Sequence, residues 1–97
     1  MYDIVNLEEL EKLLDSMKGS YVKIEDDRGF KIKGTLKTIQ PEMPYIEVLK
    51  ANVVFPEPQC SRNRLQFDID HFQFGFGSIQ WVNFAKNGEI YTYKPVR

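Results

Sequence analysis

The hydrophobic positions of the first 18 residues follow a helical period. The residues that recur at three- and four-residue spacing are Leu7, Leu10, Leu13, Leu14 and Met17. Side chains at this spacing share one face of a helix. Asn6 suits the N-cap position, and Gly19 can end the helix in a left-handed conformation. The pattern predicts an amphipathic helix over about residues 6–18.

From Tyr21 onward the hydrophobic period falls to two, which is typical of β-strands. Two alternating runs, 21–25 and 30–37, flank an Asp-Asp-Arg-Gly segment that favours a turn, so they predict a β-hairpin. Gly34 falls on the apolar face of the second run, where glycine normally weakens a sheet. We expect the strand to bend sharply at Gly34, at the corner of a small barrel.

The remainder of the chain reads as further short strands separated by turn signals. Residues 45–55 are rich in β-branched side chains, and their alternation slips near Leu49, which indicates a bulge. Further strands are predicted over 65–70, 79–84 and 90–93, the last after an Asn-Gly pair that favours a type I′ turn. The predicted fold class is mainly β: an N-terminal α-helix followed by five or six strands in a strongly bent antiparallel small barrel.

Composition fits one small domain over residues 1–97. The chain is 42% hydrophobic, which is enough for one core, and its formal net charge is −1, so any polyanion would have to bind a local patch. The single cysteine, Cys60, excludes an intramolecular disulfide. No hydrophobic run approaches the roughly 20 residues that cross a bilayer, so we expect a cytoplasmic protein without membrane contact.

One pattern of glycine and hydrophobic residues extends through the first half of the chain. Its members are Leu14, Gly19, Val22, Ile24, Gly29, Gly34, Leu36 and Met43. This order of a helix, a strand, a glycine turn and a glycine-containing strand resembles the Sm and Sm-like (LSm) proteins, the family that includes Hfq. The resemblance implies an SH3-like small barrel, single-stranded RNA binding and ring assembly through pairing of strands between neighbours.

The same resemblance implies a base-binding loop after the second barrel strand. Met43 fits the family pattern there, whereas Gln40 stands at the usual aspartate position and Pro44 at the usual asparagine position. The family's second motif has a weaker counterpart in FGSIQWVNF, where Phe76 stands in place of an arginine. The resemblance therefore implies base contacts around Gln40 and Met43 with altered side chains.

Lysines on the polar side of the second predicted strand are candidates for phosphate contacts. Lys31, Lys33 and Lys37 alternate with apolar residues, and Lys23 on the neighbouring strand extends the patch. The alternative is a solvated strand face that protects the sheet from aggregation. With Gln40 and Met43, these lysines form the predicted nucleic-acid-binding set.

A run of aromatic residues near the end of the chain is the candidate interface. Phe72, Phe74 and Phe76 alternate with Gln73 and Gly75, and we expect them to form a homo-oligomer interface or to contact a protein partner. The alternative is that they pack in the core.

The sequence contains no pattern that favours catalysis. His71 lies beside Asp68 and Asp70 and suggests a metal fragment or a general base, but the chain has a single histidine and cannot complete a common zinc set. We therefore predict no enzyme activity, no cofactor and no metal.

These features favour a non-enzymatic, oligomeric Sm-like module that binds RNA. The alternatives are a protein-interaction or assembly module that has lost the nucleotide pocket, and a small-molecule sensor with its pocket between subunits.

Overall fold

The computed structural model describes residues 2–4, 6–40, 45–56, 65–75 and 79–95. In chain order, its elements are β1 (Tyr2–Ile4), α1 (Leu7–Met17), β2 (Tyr21–Asp26), β3 (Lys31–Gln40), β4 (Tyr45–Val54), β5 (Gln66–Gly75), β6 (Val82–Lys86) and β7 (Glu89–Tyr93). The mainly β fold class and the N-terminal helix are confirmed. The described residues contain seven strands rather than the predicted five or six.

The helix α1 begins and ends where the sequence predicts. The side-chain oxygen of Asn6 accepts a hydrogen bond from the backbone N–H of Glu9 at 2.8 Å, which satisfies one of the free amides of the first turn. Beyond the helix, Gly19 has a φ of +81°. The buried face consists of Leu10, Leu14 and Met17. No helix in the described part of the chain has the length and apolar character needed to span a bilayer.

The strands form a single mixed sheet in the order β1-β7-β6-β2-β3-β4-β5. Consecutive strands from β2 to β5 pair antiparallel, and β6 returns to pair with β2. The sheet is not closed, so the predicted barrel is not confirmed. β1 pairs in parallel with β7, and the sequence pattern predicted no strand there.

β3 and β4 approach each other very closely at Gly34. A Cβ atom at this position would lie 2.6 Å from Cγ1 of Val48 and 2.8 Å from the carbonyl oxygen of Leu49. The β3–β4 register shifts here, and Lys50 of β4 has a φ of +50°. The predicted bulge near Leu49 is confirmed. Gly34 is required because a side chain has no room against the bulged strand.

The core lies between α1 and the inner face of the sheet. Its largest fully buried side chains are Phe74, Phe84, Leu10, Leu14, Met17, Ile24, Ile32, Leu36, Ile46 and Ile79. Both β2 and β4 bury every second residue over most of their length. The alternate residues face the outer side of the sheet, where polar side chains such as Lys23 and Asn52 lie beside hydrophobic ones such as Tyr21.

Arg28 holds the end of β5 against the β2–β3 turn. The carboxylate of Asp26 is fully buried and accepts hydrogen bonds from the backbone N–H and from Nε of Arg28, at 2.9 and 2.8 Å. Nη2 of Arg28 donates to the carbonyl oxygen of Gly75 at 2.7 Å. The guanidinium also lies over the rings of Phe30 and Phe74. Side-chain contacts of Arg28 therefore join the β2–β3 turn to the end of β5, and none of the ladders in the described ranges joins these two segments directly.

Candidate nucleic-acid interface

A groove lies on the outer face of the sheet, across β2, β3, β6 and β7. It encloses about 560 Å³. The charged side chains that line it are four lysines, Lys23, Lys31, Lys33 and Lys86, and one carboxylate, Glu25. We call this feature the lysine groove. Its local charge is positive although the chain as a whole carries a net charge of −1.

The strand register explains how the lysines come together. Lys23 of β2 lies directly opposite Lys33 of β3, and Lys31 lies opposite Glu25. Like charges directly opposite each other destabilise a sheet. On its other side, Lys23 is opposite Ala85, whose small side chain leaves space beside the two ammonium groups. This arrangement is electrostatically unfavourable in the free protein.

Two large hydrophobic side chains lie exposed in the lysine groove. Tyr21 is 60% exposed and Ile90 is 42% exposed. A positively charged groove with exposed aromatic surface is the common arrangement of proteins that bind single-stranded nucleic acid, because bases stack on the rings. Tyr21, Ile90 and Lys86 were not among the binding residues predicted from the sequence. For Tyr21 the available signal was its alternation with buried Val22.

Lys31 and Lys33 of the predicted lysine stripe lie in the groove, whereas Lys37 lies apart. Lys37 lies on the exposed side of β3 like the other two, but it is beyond Thr35, the last residue of β3 in the ladder with β2. Nζ of Lys37 lies 3.7 Å from Oε2 of Glu47 and 3.3 Å from Nε2 of His71. The ammonium group of Lys37 therefore forms an ion pair with Glu47 instead of lining the groove.

The predicted base-binding residues lie at the edge of what the structure describes. The backbone of Gln40 ends β3 and pairs with Tyr45. The side chain of Gln40 lies outside the described part of the chain, as do Met43 and Pro44. The base contacts implied by the family resemblance stay a prediction.

The three candidate interface phenylalanines have different positions. Phe74 is 1% exposed and packs in the core at 6.5 Å from the ring of Phe30, so its side chain is not available at the described surface. Phe72 is half-buried, with its ring 6.3 Å from Phe55. Phe76 lies outside the described residues. The exposed aromatic residue of β5 is Phe67, at 51% exposure.

The acidic and histidine side chains of β5 do not converge. Asp68 accepts a hydrogen bond from Asn52, and Asp70 accepts one from Lys50 at 3.0 Å. His71 is turned towards Glu47, at 3.7 Å. Among the described residues, no three His, Cys, Asp or Glu side chains are placed to hold a metal ion. Cys60 lies outside them.

A second cavity, of about 190 Å³, lies between α1 and the β6–β7 hairpin, with Glu89 and Tyr91 in its wall. The hydroxyl of Tyr91 donates a hydrogen bond to Oε2 of Glu89 at 2.6 Å. This bond raises the pKa of Tyr91 above its ordinary value, and burial raises the pKa of Tyr93. Both hydroxyls therefore keep their protons at neutral pH.

No model of a known protein family matches the sequence, and no characterised protein is similar to it at a significant level.

Proposed function

We propose that this protein is a non-enzymatic, Sm-like binding module that holds single-stranded RNA in the lysine groove. The observation that carries the proposal is the direct opposition of Lys23 and Lys33 in an exposed groove with one carboxylate among its charged residues. Phosphates would relieve the repulsion between the two ammonium groups and displace their counterions.

The Sm-like assignment is a proposal supported by the order of the elements. A capped helix precedes five strands, β2 to β6, and a glycine in the second of them allows the closest approach to the bulged third strand. β7 and β1 extend the sheet beyond this unit. The proposal also includes a cytoplasmic location and homo-oligomeric assembly.

Single-stranded RNA suits the groove better than a duplex does. Tyr21 offers an exposed ring within the groove, and unpaired bases can stack on such a ring, whereas the bases of a duplex are already stacked. The groove is a local patch on a chain of net charge −1, so we expect moderate affinity that falls steeply with salt.

Fluorescence anisotropy with labelled oligo-U and oligo-A at two salt concentrations tests the proposal. We expect micromolar or tighter binding at low salt. The double substitution Lys23→Glu, Lys33→Glu should weaken binding at least about tenfold and lower the salt dependence, because each lost phosphate contact removes about 0.7 from the slope for a single strand.

The matched control is the double substitution Lys12→Glu, Lys18→Glu, which makes the same change of charge at two exposed lysines outside the groove. It should bind like the wild type. No binding of either oligonucleotide at low salt would eliminate the proposal, and equal weakening by the control would show a general charge effect. Equal affinity for DNA of the same sequence would broaden the ligand to single-stranded nucleic acid.

The alternative is a protein-interaction or assembly module. The observation that favours it is the edge strand β5, which carries the exposed ring of Phe67 and the half-buried ring of Phe72, both in contact with Phe55. A protein of this kind would bind neither oligonucleotide and would associate through β5.

A further inference from the structure

β5 is a long edge strand whose side away from β4 is open along most of its length, while at its end Arg28 donates to the carbonyl oxygen of Gly75. It spans ten residues and pairs with β4 on one side. None of the strands in the described ranges pairs with its other side. An edge of this length offers a row of backbone N–H and C=O groups to another strand.

The side-chain alternation of β5 reverses at its midpoint. Ile69 and Phe72 both pack against the core although they are three positions apart, whereas strict alternation would put them on opposite faces. The reversal lies at Asp70, whose neighbour across the ladder is Lys50, the residue with a φ of +50°. From each end of Gln66–Gly75 to its middle, hydrophobic residues occupy the second and fourth positions. These residues are Phe67 and Ile69 from one end, and Phe74 and Phe72 from the other.

Two backbone hydrogen bonds show which groups face the open edge. The carbonyl oxygen of Leu65 accepts from the N–H of Phe55 at 2.8 Å and so faces β4. The carbonyl oxygen of Gly75 accepts from Arg28 and so faces away from β4. With regular alternation on each side of the reversal, the residues that face the open edge are Gln66, Asp68, Asp70, His71, Gln73 and Gly75. This set is symmetric about the point between Asp70 and His71.

We propose that β5 pairs antiparallel with β5 of a second copy of this chain, about a two-fold axis between Asp70 and His71. In this register, the residues whose backbone groups face the open edge pair with one another. The hydrophobic residues between them, Phe67, Ile69, Phe72 and Phe74, also pair with one another. Asp70 lies opposite His71 of the partner subunit, and Asp68 lies opposite Gln73 of the partner subunit. No like charges oppose each other.

Neighbouring registers lose this match. An axis through Asp70 itself would set Asp68 opposite Phe72 of the partner subunit, an outward residue against an inward one. The chosen register sets Phe67 opposite Phe74 of the partner subunit at the backbone alone, since the side chain of Phe74 is buried in the core. It places two Asp–His pairs at the centre, and a ring N–H of histidine can donate to a carboxylate in either protonation state.

The interface closes on itself, because a two-fold contact uses the same patch on both subunits. This dimer does not depend on nucleic-acid binding. For the alternative function, an assembly module, it identifies the partner as a second copy of the chain. It differs from a ring because it contains two subunits.

Sedimentation or light scattering over a concentration series provides the first test. We expect a mass twice that of the 11.4 kDa chain. His71→Asp sets carboxylates opposite each other in both central pairs and should raise the dissociation constant about tenfold or more. The swap Asp70→His, His71→Asp exchanges the partners of each pair and should restore dimerisation.

Asp3→His on β1, the other edge of the sheet, is the matched control and should leave the mass unchanged. Asp70, His71 and Asp3 are exposed, so circular dichroism should report unchanged folding. A monomer at high concentration, a ring of three or more copies, or a swap variant that stays monomeric would overturn the proposal. Lys23→Glu, Lys33→Glu should retain the dimer even if RNA binding is lost, which separates the two proposals.

Spin-label distances test the register directly. Gln73 lies two and a half residues from the axis, so labels at the two copies are five residue steps, roughly 17 Å, apart. Labels at Gln66 are nine steps, roughly 30 Å, apart. Both label-to-label distances are measured in variants that also carry Cys60→Ser. Equal distances, or a shorter one at Gln66, would overturn this pairing.

Discussion

A methyl group at Gly34 would have no space to occupy. Gly34→Ala places a Cβ atom within 2.8 Å of a backbone oxygen, that of Leu49, as well as against Val48. The bulged strand must move to accommodate it, so we expect a loss of about 1–3 kcal/mol in the free energy of unfolding. Urea denaturation measures this. Lys33→Ala, at the exposed position before it, should change stability by no more than about 0.5 kcal/mol; equal stability of Gly34→Ala would contradict the close approach.

At the scale of single residues, the sequence pattern identified Gly34 as unusual in a strand but did not predict the close approach of β4 that requires a glycine there. Alternation placed the glycine on the apolar face, whereas the close contact depends on Lys50 having a left-handed backbone, which lysine seldom adopts. Alternation correctly placed Lys31, Lys33 and Lys37 on one side of β3. It could not show that the ladder with β2 ends before Lys37, which lies beside Glu47 and His71 instead.

The helix α1 is stabilised by its cap as well as by its buried face. Asn6→Ala removes the acceptor for the N–H of Glu9 and should lower the free energy of unfolding by about 1 kcal/mol. Asn6→Asp keeps an oxygen at the same place and should retain nearly all of that stability. Thermal and urea unfolding compare the two. A loss of equal size in both variants would mean that the cap contributes little.

Elements with strong local signals were predicted, and elements formed by distant pairing were not. The helix cap, the turn at residues 26–29 and the Asn87-Gly88 turn, with φ of +51° and +82°, follow from short-range preferences. β1 has three residues and forms by parallel pairing with β7, far along the chain. The stacking of Tyr2 on Tyr91, with ring centroids 5.0 Å apart, fixes a strand that no local pattern marks.

At the scale of the whole molecule, the proposed dimer places both lysine grooves on one side. In a two-fold antiparallel pairing, directly opposite residues share a face, so the axis stands normal to the sheet at β5. The groove on β2, β3, β6 and β7 is separated from that axis by β4. Two grooves facing the same side allow one RNA strand to contact both subunits.

This arrangement predicts a dependence on RNA length. An oligo-U of about 8 nucleotides fills one groove, whereas one of about 40 nucleotides can reach the second, and binding at the second becomes intramolecular. We expect the longer RNA to bind the wild type at least about tenfold more tightly than the short one, beyond the statistical gain from its additional sites.

His71→Asp separates the contributions of the dimer and the groove. At a protein concentration where it is monomeric, the advantage of the longer RNA should fall to the statistical gain, while the affinity for the short RNA stays unchanged because the lysine groove is intact. Asp70→His, His71→Asp should recover the length dependence. An advantage of equal size in wild type and His71→Asp would mean that the grooves act singly, since a bound strand would then gain nothing from the second subunit.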